Sequence, residues 1–254
     1  MFRVLFTSMM LTACTNEPLL EGQVLDVWEQ PIEGAMVVMA DHTERPLTDS
    51  AGRFSLPYTP GKHKIKAGRE GYIQDHMEVE LAEEPVSGRI TFTLYPKPKD
   101  AGFYAVGGDD YQRLEPIPIS QVGADLEQYR GIESVGNTTI DATPLRVVFH
   151  TPLKRDQVSR LDLELYQLDV GGTVPVTGPT GVTEVPLNLY IAKNKVDFEL
   201  VPLRSRSDYL LKTEAALEPG TYAFTTQAML SSRNAEAFRE IPEPLRVAYA
   251  FQVR

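Results

Sequence analysis

Apolar and polar residues alternate along most of this chain, the pattern of strands that bury one face and wet the other. From Glu21 to Ala40 the alternation runs through a turn at Glu29 to Pro31, predicting two strands joined as a hairpin. Asp49 and Gly52 then predict a tight turn before a strand at Arg53 to Leu56, because an aspartate side chain bonds nearby backbone and glycine accepts positive φ. Further period-two runs lie at Gly61 to Ala67, Met77 to Leu81 and Arg89 to Leu94. Gly107 to Asp110 marks a hairpin turn between Val106 and Tyr111. Later strands are expected at Leu145 to His150, Leu161 to Tyr166, Leu187 to Ile191, Lys195 to Val201 and Arg246 to Val253. Only Ala228 to Glu240 has the content of a short helix or long loop. The expectation is an all-β chain, and 18 glycines and 19 prolines punctuate it as frequent turns would.

The N-terminus follows a different pattern. Arg3 precedes a short apolar run from Val4 to Leu11, too short for the roughly 20 residues of a membrane-spanning helix but suited to a secretory signal. Leu11-Thr12-Ala13-Cys14 resembles the bacterial lipobox at every position. The resemblance implies a signal peptide over 1–13, cleavage before Cys14 and a lipid anchor on its thiol, with a tether over 14–18. Thr15 after the cysteine implies outer-membrane sorting. Cys14 is the chain's one cysteine, so no disulfide is expected and the 42% hydrophobic content has to supply the core.

Four separated motifs carry a second resemblance. Gly22-Gln-Val-Leu-Asp, the turn and strand from Gln30 to Val37, the turn from Thr48 to Phe54, and Gly71-Tyr72 resemble the carboxypeptidase regulatory-like domain. That resemblance covers 19–96 and implies a transthyretin-like sandwich, an accessory that carries no catalytic residues. The Pro- and Lys-rich stretch after Tyr95 is the expected boundary. Over 97–254, Leu217, Pro219, Gly220 and Tyr222 resemble the turn that closes many bacterial β-sandwich repeats, which implies an immunoglobulin-like sandwich. Two β-sandwich domains in tandem are therefore expected.

Candidate chemistry is sparse. His42, His63, His76 and His150 stand far apart without metal-ligand spacing, and Asp109-Asp110 lacks the regular oxygen ligands of a calcium loop. No nucleophile elbow or phosphate-binding glycine loop occurs, so no catalytic residue, metal or cofactor is assigned. A net charge of -10 disfavours nucleic acid. Trp28 next to the first turn, and Tyr58, Tyr72, Tyr104 and Tyr111, are aromatic candidates for a binding face, with packing as the default. Lys62, Lys64 and Lys66 share one strand face and are the candidate surface-binding residues, toward anionic lipid or lipopolysaccharide. The expected function is a non-catalytic binding or structural module for an envelope protein or glycan. The alternatives are an envelope glycan hydrolase using paired carboxylates, or a small-ligand carrier needing an apolar pocket.

Overall fold

A computed structural model describes residues 18–40, 42–82, 90–122, 129–178, 181–226, 229–230 and 235–254. Cys14 and its lipobox lie outside the described residues. The chain is all-β, with several sheets and two short helices among the described residues. It divides into two compact units, Met1–Tyr95 and Pro96–Arg254.

The first unit holds β1 (Leu19–Asp26), β2 (Met36–Met39), β3 (Arg53–Pro57), β4 (Gly61–Gly68), β5 (Tyr72–Ile73), β6 (Asp75–Leu81) and β7 (Ile90–Pro96). One sheet has the order β3-β1-β7-β5 and the other β2-β4-β6. Inward positions alternate, and Val24, Leu56 and Phe92 of the first sheet meet Val37, Met39 and Ile65 of the second in one core. The turn at Asp49 forms as expected. Its carboxylate accepts the Ala51 and Arg53 amides at 2.9 and 2.8 Å, and Gly52 sits at φ 71°.

The predicted first hairpin is corrected. β1 pairs with β3 and, in parallel, with β7, whereas β2 pairs with β4 in the other sheet. A real turn exists, since Asp26 accepts the Trp28 and Gln30 amides at 2.8 and 2.9 Å. Past Ile32, however, the chain crosses between sheets. Buried Thr48 holds the crossing, accepting the Ala35 amide at 2.8 Å and donating to the Ile32 carbonyl at 2.5 Å. Alternation reports which face is buried, and both sheets bury the same kind of face, so the pattern does not say which sheet a strand joins.

The second unit opens with β8 (Gly102–Gly107), β9 (Asp110–Leu114), β10 (Pro116–Pro118), β11 (Ser120–Val122), β12 (Tyr129–Ile132) and β13 (Thr139–Ile140). Next come β14 (Pro144–His150), α1 (Arg155–Val158), β15 (Glu164–Val170), β16 (Thr173–Gly178), β17 (Gly181–Pro186) and β18 (Tyr190–Val196). The chain closes with β19 (Glu199–Pro202), β20 (Asp208–Ala216), β21 (Gly220–Thr225), α2 (Ala235–Glu240), a 3-10 turn at Glu243–Leu245, and β22 (Val247–Val253). One sheet runs β19-β20-β14-β8-β9 and the other β10-β22-β21-β15-β18-β12-β11, with β13 also on β22. In chain order β8, β14, β15, β18, β19, β20, β21 and β22 occupy the places of strands A, B, C, C′, D, E, F and G of an immunoglobulin-like sandwich. The other strands are additions, β9 to β13 between A and B and the hairpin β16-β17 between C and C′.

The sheets close over Phe103, Val147, Leu211, Phe224 and Phe251. Tyr222 supplies a second mark of this architecture: its hydroxyl donates to the Glu218 carbonyl at 2.9 Å, four residues back across the turn before β21. Three expectations shift here. The strand expected at Lys195 to Val201 breaks at Asp197-Phe198 as the chain changes sheets, β15 starts at Glu164, and β18 starts at Tyr190. Leu187 and Leu189 instead pack with Tyr129 and Ile191 beside the base of the added hairpin. Helix α1, which the alternation did not signal, is started by the Lys154 amide donating to Gln157 Oε1 at 2.9 Å.

Candidate functional site

The strand register gathers three connections at one end of the second unit. His150 closing β14 pairs with Asp208 opening β20, and Thr225 closing β21 pairs with Glu164 opening β15 and with Ala248 of β22. The B–C (151–163), D–E (203–207) and F–G (226–246) connections therefore leave the same end, as the recognition loops of variable immunoglobulin domains do. A cavity of about 650 Å³ opens there. Phe103, Phe149 and Tyr249 form one wall, Leu153 and Leu161 enter from the B–C connection, and Phe238 and Leu245 come from the F–G connection.

Side-chain contacts hold Phe238 and Arg246 at the cavity. The Phe238 ring lies against two guanidinium groups, with Arg130 Cζ at 4.5 Å and Arg246 Cζ at 5.0 Å from its centroid. Arg246 also donates from Nε to the Ile241 carbonyl at 2.8 Å and from Nη2 to the Arg239 carbonyl at 2.9 Å. Two lining groups are perturbed by burial. It pulls the Arg130 guanidinium below its ordinary pKa and pushes the Tyr249 phenol above its own. Sequence reading passed over Arg130, Phe238 and Tyr249, because residues 119 positions apart share a wall only after the sandwich closes and no local motif records that.

Buried acids elsewhere serve the framework. Glu164 accepts from the Tyr166 hydroxyl and from Lys195 Nζ, both at 2.7 Å, which raises the Lys195 pKa. Asp208 lies 2.7 Å from His150 Nδ1 and accepts from the Ser205 hydroxyl. The carboxylate thus stands between serine and histidine, whereas a catalytic triad places the histidine between the other two. His42 and His63 approach ring to ring at 6.4 Å, His63 reaches the Thr59 carbonyl at 2.7 Å, and His76 lies on β6. Among the described residues no group of three or more His, Cys, Asp or Glu converges.

The structure places Lys62, Lys64 and Lys66 on the exposed face of β4. Across the ladder Lys62 faces Glu80, Lys64 faces Glu78 and Lys66 faces His76, so a carboxylate row adjoins the lysine row and offsets most of its field. The aromatic candidates disperse. Tyr58 is core and Trp28 is part-buried in its turn, while Tyr104 and Tyr111 pair at 5.8 Å and donate to the Asp100 and Pro96 carbonyls. Asp109 and Asp110 belong to the β8-β9 turn, where Asp110 accepts the Tyr111 amide at 2.7 Å.

The sequence matches no family model, and no curated protein matches it. Among solved structures it is similar to a DUF3823 family protein from Parabacteroides merdae, at 8% identity and a TM-score of 0.23, over 93% of this chain and 98% of that one. It is also similar to BcpA, the major pilin subunit of Bacillus cereus, at 10% identity and a TM-score of 0.25, over 93% of this chain and 68% of that one. Similarities at these TM-scores carry no argument about what this chain does.

Proposed function

We propose that this protein is a non-catalytic, lipid-anchored module of a bacterial cell envelope, held to the outer membrane through Cys14, that binds an envelope protein or glycan. The observation that carries the binding reading is the convergence of the B–C, D–E and F–G connections around one cavity. Such an end combines a rigid sheet framework with connections free to carry recognition. The anchor rests on the lipobox residues Leu11 to Cys14. A second reading, carriage of a small ligand, is favoured by the cavity itself, whose size and apolar walls are those of small-molecule sites.

Intact mass and membrane fractionation of the wild type and Cys14→Ala test the anchor. The wild type is expected to begin at an acylated Cys14 and to fractionate with membranes, and the variant to be released or unprocessed. Identical unacylated behaviour of both overturns it. Capture of envelope components by the wild type, lost in Leu245→Trp at the cavity rim, tests the binding end. Equal capture by both proteins moves recognition elsewhere.

A further inference from the structure

We infer that the loop-end cavity is a site for a free aliphatic carboxylate, its chain along the rim and its charged head beside Arg130, an inference that rests on the reading of that end as the recognition site. At about 650 Å³ the cavity lies within the roughly 300–1,000 Å³ of small-molecule sites. Its inner aromatic residues are already packed on one another. Phe103 is buried, with the centroids of Phe149 and Tyr249 each 4.5 Å from its own and that of Phe224 at 5.6 Å. A ligand instead meets the half-buried and exposed aliphatic side chains of Leu153, Leu161, Ile241, Leu245 and Val247. Their branched surface suits a flexible methylene chain better than a flat ring, and each methylene taken from water adds to the driving force.

Charge selects the head group. Arg130 lines the cavity, is only 5% exposed, and places its guanidinium 4.5 Å from the Phe238 centroid. Arg246 shares that ring at 5.0 Å, and its Nε and Nη2 donate to backbone carbonyls, which are neutral and leave its positive charge in place. A third cation is felt at the wall: burial raises the Tyr249 phenol, and the Arg113 charge pulls against that rise. Among the described lining residues the one carboxylate is that of Glu240, which is exposed and solvated. A ligand carboxylate entering beside Arg130 exchanges its hydration for a charge-assisted bond to a guanidinium held largely out of water. An alcohol gains only a neutral bond there, and an ammonium meets like charge.

The probes are octanoate, 1-octanol and octylammonium, matched in chain and different in head charge, titrated into the full chain by calorimetry and by NMR. Saturable octanoate binding is expected, with octanol weaker by about tenfold or more, equivalent to about 1.4 kcal/mol, and octylammonium weaker still. Leu245 is 60% exposed, so Leu245→Trp narrows the mouth without entering the core and is expected to abolish saturation. Arg130→Gln is expected to bring octanoate down to the level of octanol. Glu240→Gln, on an exposed side chain, decides the head-group placement even where Arg130→Gln fails to fold: at low salt it is expected to tighten octanoate by about twofold and to leave octanol unchanged. No saturable octanoate binding, octanol or octylammonium as tight as octanoate, or undiminished binding in Leu245→Trp overturns the inference. So does an octanoate preference that survives in folded Arg130→Gln, or octanoate that Glu240→Gln does not tighten. If octanoate fails while envelope capture remains sensitive to Leu245→Trp, the ligand class alone falls. Loss of that sensitivity as well removes the recognition site on which the inference rests.

Discussion

Tyr222 shows how one residue ties a turn to a core. Its ring is buried against Phe251, with centroids 5.7 Å apart, and its hydroxyl returns to the Glu218 carbonyl. Tyr222→Phe keeps the ring and removes the bond, so stability is expected to fall by about 0.5–1.5 kcal/mol, read as a lower denaturation midpoint with an unchanged slope. Burial raises the phenols of Tyr72, Tyr222 and Tyr249 above the ordinary value of 10.0. The unfolded phenols ionise first as pH rises, so this contribution is fully present below pH about 10 and is lost on passing through the folded values. The unfolding midpoint is expected to drop above pH about 10, and by less in Tyr222→Phe. The motif Leu217 to Tyr222 was legible in the sequence, as was the turn, because all its partners are local. The cavity wall was not, because Arg130, Phe238 and Tyr249 come from three separate segments.

Elements show the same division between local and distant causes. The Asp49–Gly52 turn is written in its own residues, and only the reason for glycine is tertiary. A Cβ at Gly52 would stand 2.5 Å from the Val24 carbonyl oxygen, on a backbone already at positive φ. Gly52→Ala is expected to cost about 1–3 kcal/mol, and a thermal or denaturant melt that does not move would show that β1 and the turn yield without strain. Strand existence followed the alternation closely at β4, β14 and β22. Strand partnership did not. β1 and β2 are neighbours in sequence and belong to different sheets, and β18 and β19 separate at Asp197-Phe198 for the same reason. The lysine row on β4 was read correctly as one face, but its electrostatic meaning depended on β6, which brings Glu78 and Glu80 alongside.

At the scale of the molecule, each unit closes over its own core, Phe92 in the first and Phe224 in the second. Phe92→Ala and Phe224→Ala are each expected to cost about 3–5 kcal/mol, with hydrogen-exchange protection lost mainly in the unit that carries the change. Loss of protection across both units from either variant would show that they unfold as one. The sequence by itself determined the all-β class, most strand positions and the turn chemistry, because period-two burial, aspartate and glycine turns and the tyrosine turn act over a few residues. Tertiary structure alone decided which strands pair, that a carboxylate row accompanies the lysines, and that one end of the second unit gathers three connections around an apolar cavity. Those outcomes depend on contacts between residues far apart in the chain, whose side chains would read the same in any other pairing of the same strands.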